Sequence, residues 1–145
     1  MKRVHLATAI LLLTTIYFLF FHSETQDDVK ACVGSTCIFL EKAVTSSEQR
    51  TGLMFRERLE GDRGMFFIFE DYAVHSFWMK NTLIPLDIIW LDENYTVIGY
   101  VTANPCTSDP CEVYSMSYPS KYVIEANAGF MEENDIGVGD RFRIN

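Results

Sequence analysis

Seven short stretches dominated by aromatic and β-branched residues follow one another between Thr36 and the C-terminus, and they limit what this chain can become. They are TCIFLEKAV (36–44), GMFFIF (64–69), HSFWM (75–79), PLDIIWL (85–91), YTVIGYV (95–101), KYVIEA (121–126) and RFRIN (141–145). Such residues suit a pleated, half-buried surface. Turn-forming residues, such as Asp-Glu-Asn at 92–94, separate neighbouring stretches. Helical signals are few. Thr-Ser-Ser-Glu at 45–48 has the form of a capping box and predicts a helix running toward Met54, and a second short helix is expected near Ala128–Asn134. The expected fold is mainly β (α+β), a small closed β-barrel or sandwich of about seven short strands with two short helices.

Period-two alternation singles out one residue. Along Pro85–Leu91, Leu86, Ile88 and Trp90 share one face of the strand, while Asp87, Ile89 and Leu91 share the other. Asp87 therefore sits in an apolar row whichever way the strand faces. A buried carboxylate without compensation costs several kcal/mol, so it needs hydrogen bonds, a cation or a raised pKa. One reading makes it a structural acceptor that ties down the connection MKNTLIP through Lys80, Asn81 or Thr82; the other makes it the polar floor of a pocket. Trp78, Lys80, Asn81 and Asp87 are the candidate ligand-binding residues.

Ahead of the strands, Leu6–Phe21 is an uncharged run of sixteen residues preceded by Lys2 and Arg3. It is slightly short of the roughly 20 apolar residues of a comfortable span. No small-x-small cleavage site follows it, so residues 1–21 are expected to be an uncleaved membrane anchor, with a cleaved signal as the alternative. The basic end stays in the cytoplasm, which puts the domain on the extracytoplasmic side of the cell membrane, or in the secreted fraction if cleavage occurs. Residues 22–35 read as a stalk and 36–145 as one domain. From residue 22 onward ten basic side chains face twenty acidic ones, a formal charge of −10. That balance argues against a nucleic-acid partner. The membrane is the expected partner, together with a small-molecule ligand or a membrane protein.

The four cysteines form two C-x4-C pairs, Cys32/Cys37 and Cys106/Cys111. Outside the cytoplasm an even count implies disulfides, although four cysteines allow three pairings. The turn residues of PCTSDPC favour a Cys106–Cys111 bridge. A four-cysteine zinc site is the competing arrangement, at the wide edge of zinc-ligand spacing. His75 is the only histidine beyond residue 22, so no histidine metal cluster can form, and neither a metal nor a cofactor is expected. Glu70, Asp71 and Glu125 carry carboxylates without the spacing of a calcium loop.

GLMFRERL, RGMFFIF, SFWMKNTLIPLDIIWLD, NPCTSDPC, YPSKYVIEANAG and VGD together resemble the family called DUF192, also known as UPF0127. The likeness spans about residues 36–145 in the family's order. It implies a small β-rich domain, often exported or anchored, and no established reaction. The CVGSTC pair at 32–37 lies outside the usual pattern. The expected function is a non-catalytic small-ligand-binding or accessory module, with a pocket near loops 79–85 and 104–120. An enzyme using Asp87 with Lys80 and Asn81 is the alternative.

Overall fold

The computed structural model describes residues 28–145. The anchor expected over residues 1–21 lies outside the described residues, and no helix among those described is long and apolar enough to cross a membrane. Residues 29–33, expected to belong to the stalk, instead form the first strand.

Among the described residues, nine strands and two short helices follow in the order β1 (Val29–Val33), β2 (Thr36–Ala43), α1 (Ser46–Thr51), β3 (Arg63–Ala73), β4 (Ser76–Trp78), β5 (Leu86–Leu91), β6 (Val97–Ala103), β7 (Val113–Ser115), β8 (Ser120–Asn127), α2 (Phe130–Glu133) and β9 (Arg143–Ile144). Seven strands make one sheet in the order β6-β5-β8-β3-β2-β1-β9, and β4 pairs with β7 in a separate ribbon. Only β2 and β3 run parallel, as their connection through α1 requires. The capping box forms at Thr45: its side chain accepts from Glu48 N–H, and Glu48 accepts from Thr45 N–H at 2.8 Å.

The expected closed barrel is not formed. One isolated bridge, Thr96 with Arg141, and the backbone hydrogen bonds beside it, such as Val97 N–H to the Asp140 carbonyl, join the segments leading into edge strands β6 and β9. Beyond these contacts those strands do not pair, so the sheet stays open. Strand twist alone cannot close a sheet whose edge element β9 is two residues long.

Both faces of the sheet are covered. One face carries Ile38, Leu40, Phe66, Ile89, Leu91 and Ile124 under Phe130 and Met131 of α2 and Phe142. The other carries Met65, Phe67, Ile88, Trp90 and Val123 under Leu53, Met79 and the β4–β7 ribbon. This double burial explains why all six residues of β5 are buried. It also means that a carboxylate on either face must enter a core.

Candidate functional site

Asp87 is 1 % exposed, as its place in an apolar row demands. Its partners correct the expected ones. The Thr102 hydroxyl on the neighbouring β6 donates to Oδ1 at 2.6 Å, and the Met131 N–H donates to Oδ2 at 3.0 Å. Gly129, which precedes α2, has no side chain to cap the helix, so Asp87 supplies the acceptor from below. Lys80, Asn81 and Thr82 are not among these donors. The reason is the same alternation that singled Asp87 out: it faces the α2 side with Ile89 and Leu91, whereas Met79, at the start of the 79–85 connection, packs on the opposite face.

Lys80 turns outward, and its ammonium donates to both carboxylate oxygens of Asp109 at 2.6 Å. It thereby ties the connection to the loop closed by the Cys106–Cys111 disulfide, whose Cα atoms are 5.5 Å apart. Cys32 and Cys37 form the second disulfide across the β1–β2 hairpin, where they are direct cross-strand partners. Cys106, Asp109 and Cys111 gather potential ligand atoms within 4.8 Å. The two sulfurs are bonded to each other and the carboxylate holds Lys80, so this group has no thiolates to offer a metal. Asn81 contributes mainly through its backbone: it takes a left-handed φ of 59°, which asparagine tolerates, and its carbonyl accepts from Phe55 N–H at 2.8 Å. Lys80 and Asn81 border a polar cleft of about 180 Å³ beside the disulfide loop. The catalytic alternative needs Asp87, Lys80 and Asn81 at one point. They are not brought together.

A different cleft holds the more telling group. About 250 Å³ open between α1, the ends of β3 and β4 and the middle of β8, with Glu125 and Thr82 among its lining residues. Glu125 lies across from Met65 on β3 and Ile88 on β5, so its side chain enters the second core at 6 % exposure. Its Oε2 has no hydrogen-bond partner among the described residues. Burial pushes its pKa up to about 8, against a weaker downward pull from Arg56. Two nearby donors are engaged elsewhere. Arg56 forks onto Glu41 with both contacts at 2.6 Å, and the Gln49 amide donates to the Ile68 carbonyl at 2.9 Å.

The wall beside Glu125 is aromatic and fixed. Phe77 meets Phe67 edge-on at 5.0 Å between centroids, and Phe69 stacks on His75 at 3.6 Å. Trp78, half-exposed, stands at the rim, the one sequence candidate that borders this cleft. Gly52 adopts φ +48°, and a Cβ there would lie 3.3 Å from the Phe67 ring and 3.5 Å from Glu125 Oε2. A glycine at this corner keeps the space in front of the carboxyl open.

In the sequence Glu125 is weighed only as a calcium ligand, although the signal for its burial is present. In KYVIEA, Val123 and Glu125 share a face by the same alternation that exposed Asp87, and both neighbouring strands are apolar.

Comparison with known proteins places the molecule among β-rich relatives. Residues 29–144 match the model of the DUF192 family, described as an uncharacterised ACR. Among solved structures, a proposed transcription regulator of Sinorhizobium meliloti 1021 is similar at 30 % identity and a TM-score of 0.73, covering 81 % of this chain and 92 % of that one. A protein of unknown function from Novosphingobium aromaticivorans DSM 12444 is similar at 31 % identity and a TM-score of 0.69, over 80 % and 83 % of the two chains. No curated protein matches.

Proposed function

Because the chain belongs to the DUF192 family, whose description assigns no reaction, we propose from its own geometry that it is a non-catalytic small-ligand-binding module held on the extracytoplasmic face of a membrane. The observation that carries the reading is the Glu125 carboxyl, buried beside a fixed aromatic wall with one oxygen unpartnered. Buried polar groups are almost always hydrogen-bonded, and an unsatisfied one costs about 1–3 kcal/mol. A ligand that donates to Oε2 recovers that cost. The cleft combines an apolar wall of aromatic rings, Leu53 and Met54 with several polar side chains, the mixture by which small-molecule sites hold and orient a ligand.

Address and partners follow from the sequence. The basic-then-apolar N-terminus supports anchoring with the domain outside, and two disulfides suit an oxidising compartment. The regulator description belongs to the Sinorhizobium protein. Here the −10 balance from residue 22 onward is repulsive to a phosphate backbone, so no nucleic-acid role is proposed.

Two measurements test the reading. Full-length protein should sediment with membranes and resist carbonate extraction; release as a soluble chain beginning near residue 22 would replace the anchor with a cleaved signal. In a thermal-shift screen of small metabolites, binders should raise the unfolding temperature of the wild type and lose that effect in Glu125→Gln. Binders indifferent to that substitution would move the site away from this cleft.

A further inference from the structure

The chemistry around Glu125 also selects a class of ligand. Resting on the binding reading above, we infer that the cleft recognises a small organic ammonium with an apolar body, its N–H groups donating to the Glu125 carboxylate and its hydrocarbon lying against Phe69, Phe77 and Trp78.

Three observations point the same way. First, Oε2 has no hydrogen-bond partner among the described residues, and two nearby donors are already engaged, Arg56 by Glu41 and Gln49 by backbone carbonyls. A donor brought from outside can take that place. Second, aromatic faces beside a carboxylate attract a cation through the ring quadrupole, an interaction that strengthens when water is excluded. The rings cannot swing away: Phe77 is wedged edge-on against Phe67, Phe69 and Trp90. Third, once Glu125 is ionised above about pH 8, a second carboxylate placed against it would set like charges together in a desolvated corner, which disfavours anionic ligands there.

The charges around this group are few. Arg50 on α1 is solvent-exposed at the mouth, and its field there is screened. Arg56 acts from behind, already paired with Glu41 of β2. Met65 on β3 and Ile88 on β5, the cross-strand neighbours, are uncharged, and His75 beside β4 stacks on Phe69 with its Nε2 3.9 Å from Asp71. Thr82, from the connection before β5, is neutral. Burial keeps Glu125 protonated at neutral pH, so an arriving ammonium displaces that proton to solvent and takes its place.

Isothermal titration of the full-length protein with three probes sharing a phenyl ring tests the inference: phenethylammonium, 2-phenylethanol and phenylacetate. At pH 8 the ammonium should bind at least tenfold more tightly than the other two, and Glu125→Gln should remove that preference. At pH 7, titrations in buffers of different ionisation enthalpy should show close to one proton released, and affinity should fall at least tenfold between pH 8 and pH 6. If the alcohol or the carboxylate binds instead and Glu125→Gln weakens it, the cleft remains the site and the ammonium class is wrong. If no probe binds, or all three bind the wild type and Glu125→Gln alike, the inference falls and the binding reading of the cleft falls with it.

Discussion

Glu125→Gln is expected to stabilise the protein at alkaline pH while leaving it nearly unchanged near pH 5. In the folded chain this carboxyl titrates at about 8, whereas the unfolded chain presents it near the ordinary 4.5. Between those values the folded state holds a proton that the unfolded state has released, so unfolding is increasingly favoured as pH rises. The slope approaches about 1.4 kcal/mol per pH unit. Stability conferred by the neutral form is thus fully present below about pH 4.5 and lost by the time pH passes 8. Over the whole window the loss is on the order of 3–5 kcal/mol for one fully buried group. Glutamine keeps the shape and cannot ionise. Denaturant midpoints of the two proteins, measured from pH 5 to pH 9, should lie close together at the acid end, diverge up to about pH 8 and run parallel beyond it, with the variant the more stable. Other titrating groups contribute equally to both curves, so the difference isolates residue 125. Curves parallel over the whole range would mean that Glu125 is ionised and compensated throughout, and the case for an unmet partner would be lost.

A residue that lowers stability at neutral and higher pH, and that a single neutral substitution would improve, sits oddly in a core. Proteins retain such groups where function uses them. In this domain the carboxyl is accompanied by a left-handed glycine that keeps its front clear and by rings that cannot rearrange. These features are mutually consistent as a preformed recognition site.

What the sequence disclosed and what it hid divide along the range of the interactions. Local patterns were dependable: Thr45 caps α1, and apart from Val44 and Pro85 at their ends, TCIFLEKAV, GMFFIF, PLDIIWL and KYVIEA lie in strands. Two strands went unseen for physical reasons. β1 is interrupted by Lys30 and is completed by its hairpin with β2, while β7 is three residues long and exists through its pairing with β4. Barrel closure depends on whether β6 meets β9, a question of edge register that no local pattern answers. The same limit applied at the site. That Asp87 is buried followed from alternation, but its donors lie 15 and 44 residues away, so looking to the adjacent connection misplaced them. Lys80 likewise found its partner 29 residues on, in the disulfide loop.

The long-range partners of Asp87 make its removal the severest single change expected here. Alanine at 87 would strip the buried Met131 N–H of its acceptor, while the Thr102 hydroxyl, on an exposed residue, can turn to water instead. An unpaired buried group of this kind costs about 1–3 kcal/mol, and a small void is added, so a loss of roughly 2–4 kcal/mol is expected. For a domain of this size that is a large share of the total stability. Asparagine at 87 should recover part of it, since its carbonyl can still accept one of the two bonds while its amide faces a mismatched donor. Lys80→Ala breaks an ion pair whose side chains are 36 % and 70 % exposed. Solvent screening reduces that pair to about 0–1 kcal/mol, so the midpoint should hardly move. Chemical denaturation of the three variants orders them as Asp87→Ala, then Asp87→Asn, then Lys80→Ala by loss. Equal losses for Asp87→Ala and Lys80→Ala would instead point to a buried ion pair between them, contradicting the separate partners seen here. An unmoved midpoint for Asp87→Ala would show that α2 needs no acceptor from the sheet, and that the helix is held to this face by Phe130 and Met131 alone.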